Sequence, residues 1–260
     1  MKNILNLKSI QRASTQLSNT TEGRRNLFLG HLSNIVLGRK DEIIKANKKD
    51  ISNYKKNGLS SSIIERLVLD EKAIMHLILK LSDIEKLQSN LREVIEKNSI
   101  GQGLVIKKIR VPLGVIAIIY EARPEVTIDV AALCVKSGNA VILKGGTEAI
   151  QTNKALYQCI LIALKKAGFA KETINFISSS NRKITNDLLK QNKYIDLVIA
   201  RGGYDLVRNV LRKSTIPVLA HAAGGARIYV DKSADLSVAQ KIIINAKTSK
   251  PAACNSVDTI

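Results

Sequence analysis

The chain has 260 residues, of which 45% are hydrophobic and 3% aromatic, with no tryptophan, so it can bury a large core that must be aliphatic. Its formal net charge is +19, from 41 basic and 22 acidic residues. The lysines are scattered, which favours a solvated basic surface over a nucleic-acid footprint, although a positive field also concentrates a phosphorylated substrate or a dinucleotide. A nucleic-acid binder stays open as an alternative, and steep salt dependence would be its signature.

The three cysteines, Cys134, Cys159 and Cys254, are widely spaced and lack a CxxC pair or neighbouring histidines. This pattern argues against a disulfide framework and against a zinc site. The sequence also shows no signal-peptide pattern and no apolar run of membrane-spanning length. We therefore expect a cytoplasmic protein with no bound metal and no membrane partner.

The first hundred residues are predicted to be mostly helical. Apolar residues recur at three- and four-residue spacing from about Ile4 to Asn98, as on an amphipathic helix. The polar segment "KKDISNYKKNGLSSS", residues 48–62, interrupts this pattern and is predicted to be a loop.

From Gly101 onward the pattern changes to strands that alternate with helices. "GLVIKKIRVP" and "GVIAIIY" are β-branched, and the second is continuously apolar, as in a strand covered on both faces. Further apolar runs, "AVILKG", "INFISS", "IDLVIAR", "IPVLAHA" and "ARIYVD", follow along the chain, the first three of them after helical segments. Such alternation predicts an α/β fold with a parallel, doubly wound sheet and a helical N-terminal layer.

Ligands of such sheets bind at the carboxyl ends of the strands, so the residues that follow each apolar run are candidates for a site. Three joints stand out, residues 120–124, 144–148 and 201–203. In the second joint Lys144 is followed by Gly145, Gly146, Thr147 and Glu148.

The two joints with glycine pairs could hold a phosphate or a ribose. Glycine allows close backbone approach, a helix N-terminus supplies unpaired N–H donors, and Lys144 adds a cation. The same logic applies to Arg201, Gly202 and Gly203. A tight turn without a ligand is the alternative for each pair. The chain has no GxGxxG fingerprint and no P-loop, so an ordinary Rossmann dinucleotide site is not supported.

Charged side chains also follow the buried run that ends at Tyr120. Glu121 and Arg123 must face water or a ligand there, and the Arg123 guanidinium suits a carboxylate or a phosphate. A surface salt bridge is the alternative.

Cys254 is a candidate nucleophile, because it follows Pro251 in a loop close to Lys247 and Lys250, and cations favour the thiolate. An inert loop cysteine is the alternative. Cys134 and Cys159 lie within helical apolar periods and are predicted to be core residues.

Four segments together carry a family resemblance: "VPLGVIAIIYEARPEVTIDVAALCVKSGNAVILKGGTEAIQTNKAL", "IDLVIARGGYDLVR", "IYVDKSADL" and "NAKTSKPAACNS". In this order they resemble the γ-glutamyl phosphate reductases, or glutamate-5-semialdehyde dehydrogenases, a branch of the aldehyde dehydrogenase superfamily. The resemblance implies an N-terminal helical segment at residues 1–100 and an α/β nucleotide-binding domain at 101–230. It also implies that residues 231–260 begin a catalytic domain that is incomplete.

The resemblance further implies NADPH-dependent reduction of L-glutamyl 5-phosphate to glutamate 5-semialdehyde, in proline biosynthesis. Cys254 then corresponds to the nucleophile, and Asn255 is an expected oxyanion donor. The two glycine joints correspond to the cofactor side, and Glu121 and Arg123 to the substrate side. A homo-oligomer is implied, and glutamate 5-kinase of the same pathway is a candidate partner.

The chain departs from the family pattern in several ways. Ala200 stands where the family has a proline, and Ala223 where many members have an acidic residue. Ala226 and Arg227 stand where the family commonly has a Cys-His pair, and the chain ends at Ile260, six residues after Cys254. The alternative is therefore a truncated, non-catalytic remnant that at most binds nucleotide.

Overall fold

A computed structural model of the chain describes residues 5–56, 61–220, 225–249 and 256–260. The chain divides into two compact units, Met1–Ala220 and His221–Ile260. Cys254 and Asn255 lie outside the described residues. None of the helices in the described ranges is long and apolar enough to cross a bilayer.

Five helices precede the first strand, and most begin where the sequence supplies a side-chain cap. They are α1 (Leu7–Ser18), α2 (Glu22–Gly38), α3 (Lys40–Lys56), α4 (Ser61–Leu67) and α5 (Glu71–Lys86). Asn6, Thr21 and Asp70 accept hydrogen bonds from the backbone amides of the first turns of α1, α2 and α5. Such caps satisfy amides that have no partner within a helix.

The loop predicted at residues 48–62 is wrong at both ends, since residues 48–56 continue α3 to Lys56, and Ser61 and Ser62 begin α4. Two buried polar residues on α3 explain the difference. The Asn47 side chain donates to the Leu67 carbonyl at 2.8 Å and accepts from the Leu69 amide at 2.9 Å. Asp50 accepts hydrogen bonds from α7, as described below. Within the segment predicted to be a loop, Asp50 therefore makes internal contacts of a packed helix, and the other polar residues up to Lys55 lie on the exposed or half-buried side of that helix.

A two-stranded antiparallel hairpin follows, with β1 (Val94–Ile100) and β2 (Leu104–Ile109). The helix predicted to run to Asn98 is therefore wrong over its last residues. Gln102 and Gly103, with φ of 66° and +79°, form the left-handed turn. Every residue of both strands is exposed, so this hairpin contributes nothing to the core of its unit.

The central sheet has five parallel strands, which confirms the predicted α/β class. They are β3 (Val115–Tyr120), β4 (Ala140–Gly145), β5 (Ile174–Phe176), β6 (Leu197–Arg201) and β7 (Val218–Ala220), in the order β5-β4-β3-β6-β7. β3 lies in the middle, and the chain crosses it between β5 and β6. This reversal of direction defines the position at which doubly wound sheets bind ligands.

Helices cover both faces of the sheet: α6 (Glu125–Lys136), α7 (Ile150–Lys166), α8 (Arg182–Leu188) and α9 (Tyr204–Lys213). Alternate residues of β3 belong to different apolar clusters. Ile116 and Ile118 pack with α2, α5, α6 and α7, while Val115 and Ala117 pack with α1, α8 and α9. Burial on both faces is the reason for the continuous apolar runs in the sequence.

The second unit contains α10 (Leu236–Thr248) and a short parallel pair, β8 (Ala226–Arg227) and β9 (Val257–Thr259). Asp235 caps α10, and Lys247 Nζ donates to the Val257 carbonyl at 2.8 Å. The strand predicted from "ARIYVD" therefore extends over only its first two residues.

Candidate active site

The three joints that were predicted from sequence meet at one edge of the central sheet. Tyr120, the last residue of β3, is in register with Gly145 of β4 and with Arg201 of β6. The residues that follow these strands therefore lie side by side, at the carboxyl edge where the chain reverses direction.

Glu121, in the first joint, forms hydrogen bonds with the turn at residues 201–203. Its amide donates to the Arg201 carbonyl at 3.2 Å, and its Oε2 accepts from the Gly203 amide at 2.8 Å. A Cβ on Gly202 would lie 2.5 Å from the same Oε2. Position 202 therefore has to be glycine for Glu121 to occupy this place.

The N-terminus of α9 keeps backbone donors that no described residue uses. Gly203 precedes the helix without a side-chain cap. Among the described residues, the amides of Tyr204 and Asp205 have no hydrogen-bond acceptor. Free amides and the helix dipole attract an anion, and here the Glu121 carboxylate supplies one at the Gly203 amide only.

The turn at residues 144–148 differs from this arrangement, because its lysine is turned inward. Lys144 is 9% exposed and its Nζ donates to the Gly145 carbonyl at 2.8 Å. Burial lowers the pKa of Lys144, and the Glu148 carboxylate partly opposes this. Glu148 Oε1 accepts from the amide of Ala122, whose φ is 39°. Glu148 thus links this turn to the end of β3.

The start of α7 is already capped, so the expectation of unpaired amides at its N-terminus is wrong for Gln151 and Thr152. Asp50 of α3, 3% exposed, accepts from the Gln151 amide at 3.1 Å and the Thr152 amide at 2.8 Å. It also accepts from Thr152 Oγ1 at 2.7 Å. A carboxylate of the chain itself therefore holds these two amides of α7.

A buried hydrogen-bonded chain supports Gly145 from below. Thr127 Oγ1 donates to Asn153 Oδ1 at 2.9 Å and lies 2.7 Å from the Tyr120 hydroxyl. Because the single Thr127 proton goes to Asn153, the Tyr120 hydroxyl must donate to Thr127. Burial raises the pKa of Tyr120, so this donor keeps its proton. A Cβ on Gly145 would overlap the Asn153 amide, and Asn153 Nδ2 has no partner among the described residues.

Tyr54 on α3 borders the same edge and was missed from sequence. Its ring packs in the small apolar cluster that contains Ala122 and Ala149. Burial raises the pKa of Tyr54, and the nearby Glu148 and Glu121 carboxylates raise it further. The segment was predicted to be a loop, so no signal placed Tyr54 near the sheet. Asp50 and Asn153 were also missed, since their partners lie 102 and 26 residues away and leave no local pattern.

The remaining predicted site residues fall into three groups. Arg123 is half-buried and makes no ion pair among the described residues, so the salt-bridge alternative finds no support there. Cys254 and Asn255 lie outside the described residues. Cys134 and Cys159 are buried in α6 and α7 as predicted, and burial raises their thiol pKa values to about 12 and about 11.

Metal ligation finds no support in the described residues. No group of three or more His, Cys, Asp or Glu side chains there is arranged to hold a metal ion. The polar groups at the sheet edge are instead single carboxylates, each hydrogen-bonded to a backbone amide.

Comparison with known proteins gives a consistent picture. Residues 6–258 match the aldehyde dehydrogenase family. The chain is 42% identical over 253 residues to the gamma-glutamyl phosphate reductase of Petrotoga mobilis, covering 97% of this chain and 61% of that protein. It is 44% identical over 248 residues to the protein of that name from Clostridium novyi, covering 95% and 60%.

Solved structures give the same result. The gamma-glutamyl phosphate reductase of Thermotoga maritima superposes with a TM-score of 0.90 at 36% identity, over 97% of this chain and 61% of that one. The Saccharomyces cerevisiae protein of that name gives 0.78 at 31%, over 95% and 64%. A probable aldehyde dehydrogenase from Listeria monocytogenes, at 18% identity and a TM-score of 0.68, shares the fold. The resemblance drawn from the motifs is confirmed, and the chain spans about 60% of the length of these curated relatives.

Proposed function

We propose that this chain, which belongs to the aldehyde dehydrogenase family, acts in one specific reaction. This reaction is the NADPH-dependent reduction of L-glutamyl 5-phosphate to L-glutamate 5-semialdehyde and phosphate. The observation that carries this proposal is the 42–44% identity to gamma-glutamyl phosphate reductases along 95–97% of this chain. We place the reaction in proline biosynthesis, as the names of these relatives suggest.

The sheet edge fits a dinucleotide without a Rossmann fingerprint. The free amides of Tyr204 and Asp205 at the start of α9 suit a pyrophosphate, and Gly202 and Gly203 let it approach the backbone. The dinucleotide supplies the hydride when it is bound. The turn at 144–148 would meet the dinucleotide through polar atoms other than the α7 amides, because Asp50 already occupies those.

Cys254 carries the covalent chemistry in this proposal. Its thiolate attacks the acyl carbon of glutamyl phosphate, the bond from that carbon to the phosphate oxygen breaks, and phosphate leaves with the electron pair. The thioester accepts hydride at the same carbon, and the resulting thiohemiacetal collapses to the aldehyde and releases the thiolate. The Asn255 side chain and the Cys254 amide donate to the oxygen that becomes negative.

Arg123 is the proposed partner of an anionic group on the substrate. Its guanidinium, at the end of β3, has no ion pair in the described part of the chain and offers a planar fork to a carboxylate or phosphate. Glu121 lies beside it and borders both the substrate and the dinucleotide.

We further propose a cytoplasmic location, which the free Cys134 and Cys159 support. An oligomeric state like that of the wider family is part of the same proposal. Glutamate 5-kinase is the proposed source of the substrate, since an acyl phosphate hydrolyses readily and has to be consumed soon after it is made.

The reverse reaction tests the proposal. The purified chain is mixed with glutamate 5-semialdehyde, NADP⁺ and inorganic phosphate, and NADPH formation is followed by absorbance. We expect phosphate-dependent turnover that is lost in Cys254→Ala and kept in the matched control Cys159→Ala. Turnover that persists in Cys254→Ala would exclude that residue as the nucleophile.

Dinucleotide binding without turnover is the second candidate function. One observation favours it. Every described residue of the proposed dinucleotide site belongs to the unit Met1–Ala220, whereas Cys254 belongs to the other unit, His221–Ile260. Calorimetric titration of NADPH separates the two candidates. Binding in a chain that shows no phosphate-dependent turnover would support the second.

A further inference from the structure

A cavity lies at the opposite end of the sheet from the candidate active site. Its volume is about 610 Å³, within the ~300–1,000 Å³ range of small-molecule pockets. It lies between α1, the start of β3 and the segment that leads into β6, and its lining includes Lys8, Arg12, Gly114, Lys193 and Asp196.

One face of α1 is turned toward this cavity. Lys8, Gln11, Arg12 and Thr15 follow the spacing of a single helix face, and all four line the cavity. The opposite face carries the buried apolar residues of the helix. Gln11 Nε2 donates to the Lys193 carbonyl at 2.9 Å and thereby ties the backbone that carries the third cation to α1.

The three cations are not neutralised within the described part of the chain. None of Lys8, Arg12 and Lys193 makes an ion pair with a described carboxylate. The Lys193 ammonium instead lies 5.9 Å from the centre of the Tyr194 ring.

The single carboxylate in the cavity is committed to the backbone. Asp196 Oδ2 accepts from the Val115 amide at 2.7 Å. Gly114, with φ of +120°, lies directly against this carboxylate, and a Cβ at that position would overlap it. Asp196 is therefore a fixed, exposed member of the lining, and the cavity keeps an excess of two positive charges.

We propose that this cavity binds a small dianion, carried by a phosphate ester or by a polycarboxylate. The Arg12 fork and the two ammonium groups recognise the oxyanions. Tyr194 and Leu113 supply an apolar wall for the carbon skeleton of the ligand. Ionic contacts at exposed side chains are screened by salt, so the affinity falls as ionic strength rises.

The site is distinct from the dinucleotide site. β3 runs from Val115 at the cavity to Tyr120 at the candidate active site, a separation of roughly 17 Å at ~3.3 Å per residue. A dianion in the cavity therefore does not compete with a dinucleotide for space, and both can bind one chain.

The absence of tryptophan from the sequence makes a direct test available. Leu113 is 62% exposed and lines the cavity, so Leu113→Trp places the only indole of the chain at its rim. The probes are two small dianions, inorganic phosphate at mildly alkaline pH and succinate, one for each oxyanion chemistry, titrated at constant ionic strength. We expect a saturable change in fluorescence with at least one of them.

Charge-removing variants in the Leu113→Trp background decide the outcome. The double variant Lys8→Gln, Arg12→Gln should weaken binding about tenfold or more, as for the loss of two charge-assisted contacts. The control Lys45→Gln, Lys154→Gln removes the same charge elsewhere in the unit and should leave the affinity unchanged. Calorimetry of the chain that keeps Leu113 repeats the comparison with the same two double variants, so that any effect of the reporter substitution on packing is excluded.

Three results would overturn the inference: no saturable response to either probe, equal weakening in both double variants, or a response reproduced by sodium chloride. NADPH titration in the Lys8→Gln, Arg12→Gln variant keeps this outcome separate from the proposed function. Unchanged NADPH affinity with lost dianion binding supports two independent sites. Parallel loss of both would instead indicate that the probe reports the dinucleotide site, and would also overturn the inference.

Discussion

The two glycine turns at the edge of the sheet share one sequence pattern, a basic residue followed by two glycines and a helix. They differ in whether the basic side chain is buried and in whether the first amides of the helix already have an acceptor. At residues 144–148 the lysine is buried and the following helix α7 is capped by Asp50. At residues 201–203 the arginine is exposed, and the first amides of α9 are free apart from the Gly203 contact to Glu121. A glycine pair before a helix therefore indicates a turn, while the side chains that arrive from elsewhere decide whether it can hold an anion.

The largest expected effect is on stability, and it comes from the Asp50 carboxylate that caps α7. Asp50→Ala removes three hydrogen bonds, two of them buried, and leaves the Thr152 hydroxyl and two amides of α7 without an acceptor. We expect a loss of about 3 kcal/mol in the free energy of unfolding, measured by urea denaturation. Asp205→Ala, in the exposed first turn of α9, is the control and should cost under ~0.5 kcal/mol. Equal effects at the two positions would contradict the difference between the turns.

The glycines themselves give the next largest effect. Gly145→Ala places a methyl group against the buried Asn153 amide and within 3.1 Å of the Tyr120 hydroxyl, and should destabilise the chain by about 2 kcal/mol. Gly202→Ala places a methyl group in the turn through which a pyrophosphate would approach the α9 amides, so it should weaken NADPH binding about tenfold. The methyl group meets the side chain of the exposed Glu121, which can move, so stability should change little. Urea denaturation and NADPH calorimetry on both variants separate the two effects. Interchanged outcomes would mean that the turns have been assigned to the wrong roles.

Removing the charge of Glu121 should have a smaller effect on NADPH affinity, and in the opposite direction to Gly202→Ala. Its carboxylate lies at the Gly203 amide, where it opposes the approach of a phosphate to the N-terminus of α9. Glu121→Gln keeps the shape of the side chain and removes the charge, so NADPH should bind about five-fold more tightly, equivalent to ~1 kcal/mol. Calorimetry measures this, with Glu96→Gln on the hairpin as control. Weaker binding would show that the carboxylate itself contacts the dinucleotide.

The smallest expected effect is a pH dependence that belongs to the 144–148 turn. Burial lowers the pKa of Lys144 below its ordinary value of 10.5, so the unfolded chain binds more protons than the folded chain between these two values. Stability from this group therefore rises with pH through that window and is lost as pH falls through the lowered pKa. Lys144→Met should remove this rise, measured as the melting temperature from pH 7 to pH 10. Arg201→Met, at the exposed turn, should leave it intact.

Much of this fold could be predicted, because burial on both faces produces continuous apolar runs. β3 and β4 are buried at every position, and both were predicted as strands. The β1–β2 hairpin has similar β-branched residues yet is exposed on both faces, and part of it was predicted to be helical. A hydrophobic pattern indicates which side chains a segment could bury, but it does not show whether another part of the chain packs against them.

The candidate site likewise has a part that the sequence could predict and a part that it could not. Its joints were predictable, since they follow from where the buried strands end and from the parallel order of the sheet. The links between joints were not, because Glu121 reaches Gly203 over 82 residues and Asp50 reaches Thr152 over 102. Such contacts depend on the strand order and on the packing of α3, which no local spacing encodes.

The strand order also has a consequence for synthesis on the ribosome. The first three strands of the sheet in the chain, β3, β4 and β5, are neighbours in space and can pair as they emerge. Helix α1 has to wait far longer to complete its contacts. Ile10 packs with Ile195, and Gln11 bonds to the Lys193 carbonyl, 182 residues later. Helix α1 also contacts β3 and β4, so the first helix to leave the ribosome can begin to dock once those strands are made, but it completes its docking only after residues 193–195 have emerged.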